Sequence, residues 1–397
     1  MIKEKNILNI TALGVFLLLW GPQAFLIAGE NGKYLVLFFG VFLLLLASLK
    51  RKFQKQEIRF YVFSFSFYMV YLLIAFIQDQ KTTVTLSLTF GVINFFLLCA
   101  GYSLGLKNYT NLKLSNKIIT LISVLAFVGT LKFIQLQTNF TIGFVDRGVG
   151  DSVLNPVGVA YSNSLLILFL YWLFKHTEKK ILKYIISLSF LLAFFVLIST
   201  LSRGALLFTI SILIINYFKG VKQFVLFLVK FFKLSLIISF LALIVFFVSQ
   251  NFDFLKIKID GILERFSQIF TFLDKNEGDL SISGRRDYYN IFKEEFQNFI
   301  FFGQYGYTPY PHNQFLEIIM RWGLFGVPLL FFSINKFLIS LKLLYSKNLI
   351  KNNMLFLMTF LFVFSYLQSM SSLSLEMNRT LWLGFGFISS NKFSHKD

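Results

Sequence analysis

At two places in the sequence, arginines stand where a helix is predicted to begin, and both places are suited to binding an anion. Arg203 stands between a serine and a glycine at the boundary of two apolar segments, and Arg285 and Arg286 follow a glycine in a long polar segment. Guanidinium groups bind phosphate oxygens through paired hydrogen bonds, and the dipole of a helix N-terminus also attracts an anion. The pattern therefore indicates binding of a diphosphate. The alternatives are that Arg203 lies at the membrane boundary with its charge in water, and that the other two arginines pair with nearby carboxylates.

A histidine in the same long polar segment could transfer a proton. His312 stands at another predicted helix start, whereas His176 lies in a segment predicted to face inward and His395 lies in the C-terminal tail. Histidine titrates near neutral pH and is therefore suited to general acid–base catalysis. The alternative for His312 is a solvated loop residue. With no second outward histidine and with Cys99 as the only cysteine, we predict neither a histidine-cluster metal site nor a disulfide.

The chain that must position these residues has the composition of a membrane protein. Of its 397 residues, 56% are hydrophobic, 19% are aromatic and only 14% are charged. Apolar runs of about 17 to 25 residues recur along it, the length that crosses a hydrocarbon core with the backbone bonded inside a helix. We therefore predict an all-α, polytopic membrane bundle of about twelve transmembrane helices: Ile7 to Ala28, Tyr34 to Leu49, Phe60 to Ile77, Thr83 to Leu104, Ile118 to Leu136, Val157 to Phe174, Ile181 to Ser199, Gly204 to Phe218, Phe231 to Val248, Gly323 to Leu344, Met354 to Leu373 and Met377 to Ser390.

The placement of positive charge predicts the orientation of this bundle. The formal net charge is +19, and most lysines and arginines fall in the segments that face the cytoplasm if the N-terminus is inside. By the positive-inside rule both termini are cytoplasmic, and Arg203, Arg285 and His312 lie on the outer side of the membrane. Topology and attraction to anionic lipid account for the basic excess, so we predict no nucleic-acid partner.

One long outward segment interrupts the series of short loops. Residues 250–322 hold ten of the nineteen acidic residues and separate a membrane part, 1–249, from a second membrane part with a cytoplasmic tail, 323–397. Within 287–302 and 313–322, large apolar residues repeat at helical spacing. We predict that the segment carries two short amphipathic helices that lie over the membrane surface.

Five motifs follow one another through the second half of the chain. They are Ser202-Arg203-Gly204, Gly284-Arg285, His312-Asn313, Phe315-Leu316-Glu317, and the glycines Gly323 and Gly326. In this order and with this span count, the chain resembles the O-antigen ligase and polymerase superfamily. The resemblance implies a GT-C-like fold and activity outside the cytoplasmic membrane on glycans carried by undecaprenyl diphosphate. Members transfer the glycan onto another lipid-linked repeat unit or onto lipid A core.

The resemblance also implies roles for individual residues. Arg203 and Arg285 would bind the lipid diphosphate and stabilise the charge that develops as the bond between the anomeric carbon and the diphosphate oxygen breaks, with help from Arg286. His312 would orient or deprotonate the acceptor hydroxyl for attack with inversion at the anomeric carbon.

Three further residues are predicted to bind substrate. Asn313 belongs to the His312-Asn313 motif and Tyr288 lies three positions after Arg285. Arg147 lies in an outward loop eleven positions before Gly158, a spacing described for polymerases of this kind. Arg147 could instead pair with a neighbouring aspartate. The first outward loop offers only Glu30 as a carboxylate, so we predict no metal and no other cofactor.

The acceptor is identified by no motif. The residue pattern around His312 and the position of Arg147 favour a polymerase, which would work with a flippase and a chain-length regulator. The alternative is a ligase that uses lipid A core as its acceptor. A lipid-linked oligosaccharide transporter would place binding groups near the bilayer midplane and show two related halves, neither of which the sequence contains. A non-enzymatic assembly scaffold is the remaining alternative.

Overall fold

Helices form all the regular secondary structure in the part of the chain that the computed structural model describes. The described residues are 4–49, 54–77, 81–107, 109, 112–139, 156–200, 202–217, 289–303, 313–345, 353–371, 373–375 and 377–390. The helices are α1 Glu4–Ser48, α2 Lys55–Ile77, α3 Lys81–Gly105, α4 Asn116–Asn139, α5 Pro156–His176, α6 Lys180–Ser199, α7 Arg203–Tyr217, α8 Phe296–Ile300, α9 Gln314–Trp322, α10 Val327–Tyr345, α11 Asn353–Ser369 and α12 Arg379–Ser390. The predicted all-α class is confirmed.

Several of these helices have the length and composition of membrane spans. Six stretches qualify on both grounds: Asn6–Ser48, Lys55–Ile74, Asn116–Ile134, Val157–His176, Lys180–Ile198 and Gln314–Leu344. Three apolar helices are shorter: Gly91–Gly105, Arg203–Ile214 and Met354–Ser369. The total of twelve spans stays a prediction, and its member from Phe231 to Val248 lies outside the described residues.

Helix α1 is two apolar helices that fold back on each other. Its backbone leaves the helical region at Ala28 and at Gly29, whose φ of 68° is one that glycine adopts without strain. The two halves then approach closely, because a Cβ on Gly14 would lie 3.0 Å from Leu44 Cγ. The break falls where the sequence predicts the end of the first span.

The core is built around α5 and α11. Every residue of α11 from Met354 to Tyr366 is buried, so this helix has protein on all sides. The ring of Tyr171 on α5 stacks on Phe360 of α11 at 6.5 Å, and Phe169 contacts Phe16 of α1 at 5.7 Å between centroids. The central pair therefore holds α1 in place as well.

Glycines allow α3 and α12 to pack at backbone contact. A side chain on Gly101 would collide with the carbonyl oxygen of Leu383, and one on Gly386 would collide with that of Leu98. Small residues in this arrangement are a common means of close helix association in membranes. Helix α12 has 12 residues, which at the α-helical rise is about 18 Å, short of the roughly 30 Å of a hydrocarbon core.

Polar contacts gather at two opposite ends of the bundle. At one end, the Ser103 hydroxyl donates to the buried Glu57 carboxylate at 2.7 Å, and Lys113 pairs with Glu178 at 2.6 Å. The charge pattern of the sequence predicts that this end faces the cytoplasm. The starts of α5, α7 and α12 and the end of α11 lie at the other end.

At that second end, residues 289–303 pack on α9 and on the 3₁₀ turn Gly323–Gly326. Gly303 and Gly323 have φ of 67° and 54°, and a Cβ on Gly323 would lie 2.6 Å from the carbonyl oxygen of Phe301. In the described residues, the helix predicted over 287–302 is found as two pieces, 289–294 and α8, which a turn at Glu295 separates. Phe299 of α8 is fully buried.

Candidate functional site

Arg203 begins α7, and the first turn of this helix packs against α5 at the neighbouring residue Gly204. The side chain of Arg203 is partly buried. A Cβ on Gly204 would lie 2.8 Å from the hydroxyl oxygen of Tyr161 on α5, closer than side-chain carbons approach. One turn along α5, the Ser164 hydroxyl donates to the carbonyl oxygen of Ala205 at 3.4 Å. Two polar side chains of α5 therefore contact the first turn of α7, where Arg203 stands.

Asn313 caps the N-terminus of α9. Its Oδ1 accepts hydrogen bonds from the amides of Phe315 at 2.9 Å and Leu316 at 3.3 Å, which satisfies two donors that the helix leaves free. Its Nδ2 donates to the hydroxyl of Tyr289 at 3.2 Å. This bond joins the start of α9 to the segment that begins at residue 289.

Buried polar groups fasten α9 to the end of α11 and to the residues that follow. The Ser369 hydroxyl donates to Gln314 Oε1 at 2.8 Å, and both side chains are fully buried. The carboxylate of Glu317, also fully buried, accepts from the amide of Leu375 at 3.1 Å and pairs with Arg321 at 3.3 Å. A buried carboxylate needs such partners to stay charged. Helix α9 is thus fixed by its polar side as well as by Ile318 and Trp322.

Side-chain contacts, joined by the short backbone stretch 369–371, connect the starts of α7 and α9. The hydroxyls of Tyr161 and Ser371 are 2.7 Å apart and share a hydrogen bond. Ser371 stands two residues after Ser369, which holds Gln314. The order Gly204, Tyr161, Ser371, Ser369, Gln314 therefore leads from the residue after Arg203 to the residue after Asn313.

The predicted site residues divide between described and undescribed parts of the chain. Arg203 and Asn313 are described, and the contacts above place their helix starts at the same end of the bundle. Five others lie outside the described residues: Arg147, Arg285, Arg286, Tyr288 and His312. Gly158, the partner of Arg147 in the predicted spacing, is on α5 with nothing within 4 Å of its would-be Cβ.

Sequence reasoning did not single out the residues that connect the two helix starts. Tyr161 lies within the predicted span Val157 to Phe174, and Ser369 and Ser371 lie near the end of the predicted span Met354 to Leu373. The available signal was their polarity, since a buried polar group in a membrane bundle needs an internal partner. In the described part of the chain, no group of three or more His, Cys, Asp or Glu side chains could hold a metal ion.

The helices and their packing indicate the class of the protein, and a comparison with known protein families adds a more specific resemblance. Several apolar helices, packed around a buried central pair, are those of a multi-pass membrane protein. Residues 188–331 match the family model described as O-antigen ligase, which includes Arg203, Asn313 and the whole of α9. This segment therefore confirms the resemblance to the O-antigen ligase and polymerase superfamily, whose members are enzymes of the membrane glycosyltransferase type. No curated protein and no solved structure matches the chain.

Proposed function

We propose that the protein is a polymerase of bacterial surface polysaccharide, O-antigen or capsule, which joins lipid-linked repeat units on the outer side of the inner membrane. The donor is a glycan on undecaprenyl diphosphate, and the acceptor is a hydroxyl of a second lipid-linked repeat unit. The family match over 188–331 supports an activity of the O-antigen ligase or polymerase type. Undecaprenyl-diphosphate glycans and membrane lipid are then its binding partners, and a flippase and a chain-length regulator act beside it.

The observation that carries the proposal is the chain of contacts between the starts of α7 and α9. It brings the turn of Arg203 and the capping residue Asn313 to one end of the bundle. His312 directly precedes Asn313 in the chain, and Tyr289 is three positions after Arg286, a stretch of chain that spans at most about 11 Å. The hydrogen bond between Asn313 and Tyr289 therefore favours a common site for the arginines and His312.

In the proposed reaction the acceptor hydroxyl attacks the anomeric carbon as the bond to the diphosphate oxygen breaks. Arg203 and Arg285 bind the diphosphate and stabilise the negative charge that appears on it, with Arg286 beside them. His312 takes the proton of the acceptor hydroxyl. The products are an extended glycan with inverted configuration and free undecaprenyl diphosphate. No metal is needed, because the arginines supply the positive charge.

The chemistry of a ligase is the same, and only the acceptor differs. The test is to give the purified protein in lipid nanodiscs a lipid-linked repeat unit alone. A ladder of longer lipid-linked glycans is the expected result. Strict dependence on added lipid A core would contradict the polymerase and establish the ligase.

A transporter of lipid-linked oligosaccharide is the alternative from another class. It would move labelled lipid-linked sugar across a vesicle membrane without extending it. Vesicles that contain the protein should therefore produce ladders and should move no more label than vesicles that contain an Arg203→Gln, His312→Ala variant. Transport by that double variant would contradict the enzymatic proposal.

A further inference from the structure

Tyr161 is positioned for a role in the site that neither its sequence context nor the family match indicates. It lies on α5, outside residues 188–331, and is 2% exposed. Its ring packs against Phe364 of α11 at 5.9 Å between centroids, and its hydroxyl shares a hydrogen bond with Ser371. Both ends of the side chain are therefore held by the central helix or by the residues just after it.

The first turn of α7 rests on the hydroxyl of this tyrosine. The oxygen lies 2.8 Å from the place where a Cβ of residue 204 would stand, whereas the ring carbon Cζ lies 3.9 Å from it. The first distance is a collision and the second is ordinary van der Waals contact. The glycine of the Ser202-Arg203-Gly204 motif is therefore required by one oxygen atom of Tyr161.

The same hydrogen-bonded residues also reach α9. Ser369 binds Gln314, and Glu317 binds the amide of Leu375, so the residues that follow α11 hold the start of α9 on one side and Tyr161 on the other. Buried polar contacts of this kind fix a single arrangement, because each unpaired group would cost free energy. The distance between the two helix starts is thus set through Tyr161 and Ser371.

We infer that Tyr161 is a positioning residue, which seats the α7 turn so that Arg203 meets the diphosphate bound beside α9. The inference rests on the proposed function and adds to it a residue that acts through Gly204 and Arg203 without touching substrate. It predicts that the steric fit between residues 161 and 204 governs turnover.

The test is a cycle of four proteins: wild type, Tyr161→Phe, Gly204→Ala and the double variant. Loss of the hydroxyl alone should lower kcat roughly 5-fold, as one net hydrogen bond is lost. Gly204→Ala should lower kcat on the order of 100-fold, because its methyl group displaces the turn that carries Arg203. In the double variant the methyl group has room, so its kcat should return to within about 3-fold of Tyr161→Phe.

A control separates positioning from general damage to the fold. Tyr184→Phe removes a hydroxyl from an exposed tyrosine of α6. This variant should leave kcat unchanged. KM for the lipid-linked repeat unit should change less than kcat in the four proteins, because Arg203 is proposed to act on charge that develops as the bond breaks.

Turnover in which the double variant is as poor as, or poorer than, Gly204→Ala would overturn the inference. A wild-type protein that makes no ladder would instead overturn the proposed polymerase. The four proteins would then be compared by binding of undecaprenyl diphosphate, which carries the charge of the leaving group. Gly204→Ala should weaken that binding, and adding Tyr161→Phe to Gly204→Ala should restore it. Failure of the double variant to restore binding would still overturn the inference.

Discussion

At the scale of single residues, the two described members of the predicted site are held in different ways. Asn313 uses both ends of its side chain, Oδ1 on the amides of α9 and Nδ2 on Tyr289. Its predicted contact with substrate stays a prediction, while its capping of α9 is observed. Arg203 is placed by its neighbour Gly204 against Tyr161. The sequence motif thus combines one residue proposed for chemistry with one required by packing.

The guanidinium of Arg203 should not be replaceable by another cation. Arg203→Lys keeps the charge but loses the paired hydrogen bonds, so kcat should fall roughly 10-fold, and Arg203→Gln should lower it on the order of 100-fold or more. The measurement is the rate of ladder formation from a lipid-linked repeat unit. Lys113→Gln, at the opposite end of the bundle, is the matched control. Full turnover by Arg203→Gln would remove this residue from the site.

The buried Glu317 should matter for stability where an exposed glutamate does not. Glu317→Gln removes the buried negative charge that pairs with the half-buried Arg321, and breaking a buried pair costs about 3 kcal/mol. We expect Tm to fall by several degrees in a thermal unfolding measurement in detergent, while Glu178→Gln leaves Tm unchanged. Equal Tm values for Glu317→Gln and wild type would show that α9 is not anchored by this carboxylate.

The contribution of the exposed Lys113–Glu178 ion pair to stability has a defined pH dependence. The hydrogen bond and charge of Lys113 hold the pKa of the Glu178 carboxyl below its usual range. A lowered pKa means that the pair contributes above the ordinary pKa of glutamate and is lost as the pH falls through the lowered value. Because both side chains are solvated, the contribution is small, and Tm should be the same for wild type and Glu178→Gln across this pH range.

At the scale of elements, apolar length predicts where helices run but not how they meet. The break in α1 at Gly29 and the start of α7 at Arg203 fall where the sequence analysis places them. The face of α9 is different. Hydrophobic spacing predicts one apolar face made of Phe315, Ile318, Ile319 and Trp322. Ile318 and Trp322 are buried and the other two are half-buried, whereas the polar Gln314 and Glu317 are fully buried.

The difference has a physical cause. Ser369 and the amide of Leu375 offer partners to these two polar side chains, and they come from a part of the chain more than fifty residues away. A prediction based only on hydrophobicity does not include the hydrogen-bond partners that distant parts of the chain supply in the folded protein. For the same reason the apolar composition of the predicted span Met377 to Ser390 does not indicate the glycine contacts with α3 on which the burial of α12 depends.

The contact between α3 and α12 should depend on its glycines. Gly386→Leu would place a side chain on the carbonyl of Leu98, and overpacking on this scale is expected to cost at least about 1–3 kcal/mol. We expect a lower Tm and a broadened or aggregated peak in size-exclusion chromatography. Gly158→Ala, where no atom is near, is the control and should elute as wild type does. A sharp, stable Gly386→Leu protein would mean that the two helices do not pack at backbone distance.

At the scale of the whole molecule, the two polar ends of the bundle should face opposite sides of the membrane. The site end contains Tyr289 and Asn313, and the other end contains Lys113 and Glu178. The positive-inside rule assigns the end that contains Lys113 and Glu178 to the cytoplasm. Asn290→Cys in a Cys99→Ser background should therefore react with an impermeant maleimide in cells whose inner membrane is intact. A cysteine at Lys113 should react only after that membrane is permeabilised. The reverse pattern would place the site on the cytoplasmic side and end the proposal of an outer-side transferase.

The central claim is that the starts of α7 and α9 form one site for a lipid diphosphate. It is tested most directly by photo-crosslinking with undecaprenyl diphosphate that carries a reactive group beside the diphosphate, followed by mapping of the labelled peptides. We predict label both in the first turn of α7, around Arg203, and at the residues that lead into α9, around His312 and Asn313, and loss of both in Arg203→Gln. Label at only one of these segments, or label that is unchanged in Arg203→Gln, would contradict the account.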